Sequence, residues 1–313
     1  MFSQLFLVLL LAVPLRAAYR LVDDFTPRTL LDGFVFDAAA DETHGFVNYL
    51  TKRQAAARNL TRLVGGRLFV GADAKNVVKA GSRGRDSVRM HSRRAYNHGL
   101  FLLDLQHMPG GQCGSWPAFW LYNINDWPQK GEIDVIEGVN SQTFNSMTLH
   151  TTPNCSIRAG GFSGHVVTRN CAVDAKGQPE DSGCSIETDD TRTYGAGFNR
   201  VNGGVYALQW TSTAIKIWFF PRARIPADIA SGRLTPARWP QPLAAFRGCD
   251  FDAHIRDQFL TFDLTFCGDW AGSVWTDDAV CKKKAKTCKQ FVRENPGAFR
   301  DAYWLINYLK VYQ

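Results

Sequence analysis

The pattern of apolar and polar residues along the chain predicts mostly short β-strands. Residues 205–210 alternate, and the apolar residues 214–220 follow a short Thr-Ser-Thr turn, so these two segments predict a hairpin. Residues 99–105 and 259–266 predict two further strands, and residues 303–312 predict a last one. Many short strands separated by turns predict an all-β fold, a sandwich of two antiparallel sheets.

The last strand and one helix are predicted in more detail. Alternation assigns one face of the last strand to Trp304, Ile306, Tyr308 and Lys310, with Leu305, Leu309 and Val311 among the rest. Residues 277–294 form the best helix candidate, because Asp277 and Asp278 can cap its start and Pro296 must follow its end. Helix is otherwise scarce in the pattern.

The N-terminus and the cysteines indicate an exported protein. Residues 1–18 combine an apolar run too short for a membrane span with small residues near the end, which predicts a secretory signal peptide. The mature chain, residues 19–313, is predicted to be one secreted, extracellular domain, because no linker or repeat interrupts it. Its eight cysteines predict disulfides, and the lack of any CxxC pair disfavours zinc.

Two of the cysteines constrain the predicted helix. A continuous helix would set Cys281 and Cys288 about 10.5 Å apart along its axis. A disulfide requires Cα atoms within about 7 Å of each other. Either these two cysteines bond elsewhere, or the segment is not one helix.

Charge and sequons add little to the functional picture. The formal net charge of +7 is modest, and the basic clusters at residues 83–94 and 282–286 are expected to be solvated faces. We therefore expect a monomer that binds no nucleic acid and no membrane. Asn59 begins a glycosylation sequon, and Asn154 begins a poorer one because Cys155 can be bridged.

The candidate chemistry lies in residues 131–138, where three acids alternate with β-branched residues that favour a strand. In a regular strand, Glu132 and Asp134 share one face while Glu137 points to the other. One extra residue, a β-bulge near Val135 or Ile136, would bring all three carboxyl groups to the same face. An exposed polar face without function is the alternative, but the intervening apolar residues predict that the back of the strand is buried.

Two carboxyl groups that flank a scissile bond are what glycoside hydrolysis requires. With the bulge counted, the Cα atoms of Glu132 and Glu137 lie about 13 Å apart, which leaves roughly 5 Å between their carboxyl groups. That spacing favours a retaining mechanism. Asp134 is expected to share a hydrogen bond with Glu132, and the neighbouring negative charges are expected to keep Glu137 protonated.

Aromatic residues surround the acidic segment in the sequence. Trp120 and Trp127 are assigned to a sugar-binding cleft, because sugar rings present flat C–H faces that pack on indoles. Trp116 is a candidate for the same cleft or for the core, and Phe119 is assigned to the core. His150, on the expected next strand, could point into the cleft or into the core.

Residues 131–137 are similar to the acidic signature of glycoside hydrolase family 16, in its bulged, laminarinase-like form. Further stretches resemble the fungal endo-1,3(4)-β-glucanases of that family: residues 82–89, 107–109, 116–120, 138–140, 148–151, 266–272 and 303–312. The resemblance extends across nearly all of residues 19–313. It implies a β-jelly-roll sandwich with a concave glucan cleft and a retaining double displacement.

The resemblance also implies residue roles: Glu132 as nucleophile, Asp134 as its assistant and Glu137 as acid/base. Trp120, Trp127 and His150 would line sugar subsites, with Trp270 or Trp275 on the far side of the cleft. No cofactor or catalytic metal is expected, although some relatives carry a structural calcium. Residues 123–126 depart from the Gly/Pro-rich loop expected on the donor side of the cleft.

Three functional hypotheses remain open at this point. The first is hydrolysis of β-1,3 or mixed β-1,3/1,4 glucan, the polysaccharide partner that the acids and aromatics suit. The second is transglycosylation, in which a sugar instead of water resolves the same intermediate. The third is a non-catalytic glucan-binding sandwich, which is disfavoured because such modules usually lack one of the acids.

Overall fold

The computed structural model describes residues 19–313, so the predicted signal peptide lies outside the described residues. In chain order, the first strands are β1 (Leu21–Phe25), β2 (Phe34–Phe36), β3 (Val47–Tyr49), β4 (Thr61–Val64), β5 (Arg67–Gly71), β6 (Arg85–Ser87), β7 (Arg89–Tyr96), β8 (Gly99–His107) and β9 (Ser115–Tyr122). The remaining strands are β10 (Glu132–Glu137), β11 (Ser146–His150), β12 (His165–Val166), β13 (Cys184–Glu187), β14 (Gly204–Thr211), β15 (Ala214–Pro221), β16 (Ala244–Phe246), β17 (Gln258–Phe266) and β18 (Tyr303–Tyr312).

The strands form two eight-stranded antiparallel sheets. The first sheet has the order β16-β15-β14-β8-β18-β5-β4, with β1 also paired to β18. The second sheet has the order β12-β13-β11-β10-β9-β17-β7-β2, and β3 and β6 form a small parallel pair. The predicted all-β jelly-roll sandwich is confirmed.

The main hydrophobic core contains apolar side chains from both sheets. Phe101 and Trp210 of the first sheet are buried in it together with Phe119 and Phe262 of the second. Burying one large apolar side chain stabilises a fold by about 1.5–3 kcal/mol. The prediction that Phe119 belongs to the core is confirmed, with 1% of the residue exposed.

The strand predictions are confirmed, with one correction to a face. β14 and β15 pair as a hairpin, and β8, β17 and β18 occupy the other predicted segments. In β18, however, Leu309 and Val311 join Trp304 and Ile306 in the core. The assignment of Tyr308 and Lys310 to the face of Trp304 is therefore wrong, because the register against β8 shifts between Ile306 and Tyr308.

The helices are short. They are α1 (Leu30–Gly33), α2 (Lys52–Ala57), α3 (Gly195–Arg200), α4 (Ala227–Ser231), α5 (Phe251–His254) and α6 (Cys288–Glu294), with a π-helical turn at Gly268–Gly272 and a 3-10 turn at Cys281–Lys283. Further 3-10 turns lie at Thr191–Thr193, Arg222–Arg224, Pro236–Arg238 and Pro296–Phe299. Within residues 19–313, no helix has the length and apolar composition needed to cross a membrane.

The helix candidate over residues 277–294 is not one continuous helix. Only its last part is α-helical, in α6, where Thr287 caps the start by accepting a hydrogen bond from the Gln290 N–H at 3.2 Å. Asp278 instead accepts hydrogen bonds from the N–H groups of Val280 and Cys281, which holds a tight turn.

All eight cysteines form disulfides, as predicted: Cys113–Cys281, Cys155–Cys249, Cys171–Cys184 and Cys267–Cys288. Cys281 and Cys288 therefore bond elsewhere, as one of the two alternatives required. Cys113 lies just before β9 and Cys267 just after β17. The segment that contains Cys281 and Cys288 is thus fastened to the ends of two neighbouring strands of the second sheet.

The expectation of a solvated face is wrong for part of the basic cluster at residues 83–94. Arg85 is fully buried and donates hydrogen bonds to the backbone carbonyl oxygens of Asp73, Asn76 and Val292. Arg89 is also buried, with 4% exposed. A guanidinium can be buried when carbonyls or carboxylates satisfy its donors. The lysines at 282, 283, 284 and 286 are exposed, as expected.

Candidate active site

The three acids of β10 share one face because the strand contains a β-bulge. Against β9, Asp134 pairs with Trp120 and Ile136 pairs with Phe119, so Val135 is the extra residue. Against β11, the register shifts in the same interval, between Asp134 and Glu137. The predicted bulge is confirmed, and Val135 and Ile136 are buried behind it.

Residues directly opposite each other in an antiparallel pair point to the same face. Tyr122 of β9 and His150 of β11 flank Glu132. Ala118 and Ser146 flank Glu137 in the same way. His150 therefore lies beside the acids on the same face of the second sheet, as a position in the cleft requires.

Two indoles hold the outer acids. The Trp116 Nε1–H donates to Glu137 Oε1 at 2.8 Å, and the Trp127 Nε1–H donates to Glu132 Oε2. An N–H donor aimed at a carboxyl oxygen fixes the rotamer of that side chain and favours its ionised form. The predicted cleft position of both indoles is consistent with these contacts.

Asp134 lies between the two glutamates and is 2% exposed. It shares a hydrogen bond with Glu132, as predicted from the sequence. His150 Nε2 lies 3.1 Å from Asp134 Oδ2 on the other side. A hydrogen bond between two carboxyl groups requires a proton on one of them. This bond raises the pKa of Glu132 and opposes the rise in that of Asp134, so it favours the proton on Glu132.

The pKa values of the three acids are all raised. Burial is the largest cause in each case; the Asp134 carboxylate further raises the pKa of Glu132, and the Glu137 carboxylate that of Asp134. Burial also raises the pKa of Glu137, while the Trp116 indole N–H and His150 oppose the rise. The sequence predicts that Glu137 stays protonated, and its raised pKa agrees with that prediction in direction. The main cause of the rise is burial and not the charges of the neighbouring acids.

The other aromatic candidates separate into two groups. Trp270 packs edge-on against Trp116 with 5.8 Å between ring centres, and Trp120 stacks on Tyr122 at 4.2 Å. Trp127 is 42% exposed beside Glu132. These residues surround the acids.

Trp275 does not belong with them. It is 2% exposed in a second hydrophobic cluster, packs on Phe291, and donates its indole N–H to the Ala285 carbonyl oxygen at 3.1 Å. The assignment of Trp275 to a sugar subsite is therefore wrong, because its ring has no free face to offer a sugar.

The sequence did not indicate that Arg89, near Trp120, is a buried charged residue. Arg89 donates to the Tyr122 hydroxyl at 2.8 Å, lies 3.6 Å from an Asp41 carboxylate oxygen, and has its guanidinium 5.4 Å from the centre of the Trp120 ring. Asp263 pairs in register with both Arg89 and Ala118, and burial raises its pKa to about 8 although Arg89 lowers it. The alternation of Thr261, Asp263 and Thr265 in β17 is the signal that could have identified this polar face.

The acids also have the spacing of a metal site. Oxygen or nitrogen atoms of Glu132, Asp134 and His150 lie within 4.8 Å of one another. The Trp127 indole N–H already occupies one oxygen of Glu132. The arrangement fits acid–base chemistry as well as cation binding.

The raised pKa values predict how stability depends on pH. Below about pH 4 these carboxyl groups are protonated in both the folded and the unfolded chain. As the pH rises, the unfolded chain ionises first, so stability falls until the folded groups also lose their protons. We expect Glu132→Gln to be more stable than the wild type at pH 7, by about 1 kcal/mol or more, and the gain to vanish near pH 4.

Calorimetric unfolding of both proteins between pH 4 and pH 8 measures this difference. Glu180→Gln is the matched control, since Glu180 is exposed on a loop. It should change stability by the same small amount at every pH. A gain for Glu132→Gln that does not depend on pH would contradict the burial argument.

A glycoside hydrolase requires two carboxyl groups that flank the bond to be cleaved. This two-sheet sandwich presents such groups beside indole rings. Residues 34–312 match the family described as "XgeA-like, catalytic GH16 domain". The chain belongs to glycoside hydrolase family 16, as its resemblance to that family predicts.

An endo-1,3(4)-β-glucanase of Arthroderma benhamiae is 50% identical over 301 residues, which is 95% of this chain and 65% of that relative. The chain thus spans just under two thirds of that relative's length.

Solved structures agree with the family. Laminarinase 16A from Phanerochaete chrysosporium, with β-glucans in both donor and acceptor sites, superposes with a TM-score of 0.89 at 40% identity, covering 95% of this chain and 100% of that one. An elongating family 16 β-1,3-glucosyltransferase superposes with a TM-score of 0.87 at 41% identity, with the same coverage.

Proposed function

We propose that this protein is an endo-β-glucanase that hydrolyses β-1,3 or mixed β-1,3/1,4 glucans by a retaining double displacement. The observation that carries the proposal is the bulge in β10, which turns Glu132, Asp134 and Glu137 to one face beside Trp116 and Trp127. The activity of the Arthroderma relative and the glucans bound to Laminarinase 16A support the substrate class.

In the first step, a Glu132 oxygen attacks the anomeric carbon while Glu137 gives its proton to the leaving oxygen. The glycosidic C–O bond breaks and an ester bond to Glu132 forms. Burial, which raises the pKa of Glu137, keeps the proton that this step requires. The Trp116 indole aims that carboxyl group.

Glu132 must be ionised to attack. Its proton is proposed to move to Asp134, whose pKa burial and the Glu137 carboxylate raise, and Glu132 then attacks as a carboxylate held by the Trp127 indole. Asp134 is thus the assistant of the nucleophile. In the second step, Glu137 takes a proton from water, the water oxygen bonds to the anomeric carbon, and the ester bond breaks to restore Glu132.

The glucan is proposed to lie across the strands of the second sheet, over Trp120, Trp127 and His150, with Trp116 and Trp270 beside Glu137. Trp127 offers an exposed indole face to a sugar ring.

Product analysis on laminarin, lichenan and cellulose tests the proposal. We expect short oligosaccharides from laminarin or lichenan early in the reaction, as internal cleavage produces, and none from cellulose. Proton NMR of the first products should show the β-anomer. Glucose released alone from chain ends, or an α-anomer, would refute endo action or retention respectively.

Transglycosylation is the second candidate, and the similarity to an elongating β-1,3-glucosyltransferase favours it. The first step is the same, and the hydroxyl of a second glucan then replaces water at the anomeric carbon. The same assay with added laminari-oligosaccharide separates the two. Products longer than the substrate indicate transfer, and shorter products alone indicate hydrolysis.

We also propose that residues 1–18 are a cleaved signal peptide and that residues 19–313 form one secreted domain. The support is the sequence pattern at the N-terminus together with four disulfides, which persist in oxidising compartments. N-terminal sequencing of the exported protein, expected to begin near Ala18 or Tyr19, tests this proposal. Glycosylation at the exposed Asn59 stays a prediction.

A further inference from the structure

The side chain of Asn145 fills the gap that the bulge leaves beside β10. Its Oδ1 accepts a hydrogen bond from the Glu137 N–H at 3.0 Å, and its Nδ2 donates to the Val135 carbonyl oxygen at 2.8 Å. A bulge interrupts the ladder and leaves backbone groups without strand partners. The amide of Asn145 has a donor and an acceptor like a peptide group, so it takes the place of the missing partner.

Asn145 is itself held in place. It is fully buried, its N–H donates to the Thr193 hydroxyl at 3.3 Å, and its carbonyl oxygen accepts from the Thr188 N–H at 3.4 Å. Only one orientation of the side-chain amide serves both an N–H donor and a carbonyl acceptor. The contact to β10 is therefore present before any substrate binds.

We propose that Asn145 is a positioning residue for Glu137, which it aims by fixing the bulge in β10. The inference rests on the proposed function, in which Glu137 protonates the leaving oxygen. Without the amide, the Val135 carbonyl and the Glu137 N–H lose their partners in a buried position. The strand can then relax toward regular pairing, which turns Glu137 away from the face of Glu132.

Asn145→Leu tests the proposal with a side chain of nearly the same size. Leucine can neither accept from the Glu137 N–H nor donate to the Val135 carbonyl, and it adds no charge beside Glu137. We compare kcat/KM on laminarin with kcat/KM on 2,4-dinitrophenyl β-laminaribioside. Dinitrophenolate departs without being protonated, so the second substrate does not require a well-aimed Glu137. We expect laminarin to lose about 100-fold and the aryl substrate less than about 5-fold.

Asn140→Leu is the matched control. Asn140 is also buried, and its amide accepts from the Gly114 N–H and donates to the Ala271 carbonyl oxygen, each at 2.8 Å. These bonds do not involve β10. The control should lose thermal stability while both substrates change by the same factor. If Asn145→Leu also changes both substrates equally, the role of Asn145 is merely structural and the proposal is overturned.

A failure of the proposed function would look different. In that case the wild type itself would not cleave either substrate. If Asn145→Leu does not fold, amide hydrogen exchange on the wild type tests the contact directly. We expect the Glu137 N–H to exchange at least about 100-fold more slowly than the amide of Asp126 in the exposed loop. Exchange as fast as in that loop would overturn the proposal.

Discussion

Glu132→Gln is expected to lower turnover of laminarin and lichenan by about four orders of magnitude or more, because the amide cannot form the ester intermediate. The substitution keeps the shape of the side chain and removes a buried, ionisable group, so the fold should survive. Reducing-end assays measure the loss, and far-UV circular dichroism confirms the fold.

Glu180→Gln, on the exposed loop, should retain wild-type turnover in the same assay. Near-normal turnover by purified Glu132→Gln would remove Glu132 from the role of nucleophile. The combination of lost activity with unchanged or higher stability at pH 7 is specific to a buried functional carboxyl group. If Glu132 had a purely structural role, the substitution would lower both turnover and stability.

Glu137→Ala should produce the complementary defect. Laminarin turnover is expected to fall about 1,000-fold, the range of general acid–base catalysis. With the dinitrophenyl substrate, the glycosyl ester on Glu132 should still form, and it should then accumulate because no base activates water. Added azide should restore turnover, since it is already an anion and the truncated side chain leaves room for it.

The configuration of the azide product decides the stereochemistry. Azide forms a bond to the anomeric carbon as the ester bond to Glu132 breaks, and it enters from the face that the leaving group vacated. The product should therefore be the β-glycosyl azide, which proton NMR identifies. An α-azide, or no response to azide, would contradict the double displacement.

The central feature of the site could be predicted because local pattern and chemistry agree. Three acids interleaved with buried β-branched residues are compatible with a single acidic face only if the strand has one extra residue, and Val135 is that residue. His150 and the face alternation of β18 could not be decided in the same way. A bulge in β18, invisible in the pattern, moves Leu309 and Val311 into the core.

Long-range contacts account for the remaining differences. The sequence pattern does not distinguish Trp270 from Trp275. Trp275 is buried because it packs on Phe291 in the disulfide-bonded segment. Arg89 sits in a basic run, and its burial depends on Asp41 and Tyr122, which are distant in the chain. Asn145 supports the bulge from a turn eight residues beyond Glu137, a contact that strand periodicity does not indicate.

Two disulfides fasten the segment that follows Trp270 to the ends of β9, the neighbour of the acidic strand, and of β17. No strand pairing holds residues 273–287. Besides the disulfides, the buried Trp275 and the hydrogen bonds from Ser141 to Asp278 fix this segment. Its exposed residues, such as Lys282 and Lys283, can therefore be exchanged while Glu132 and Glu137 keep their places.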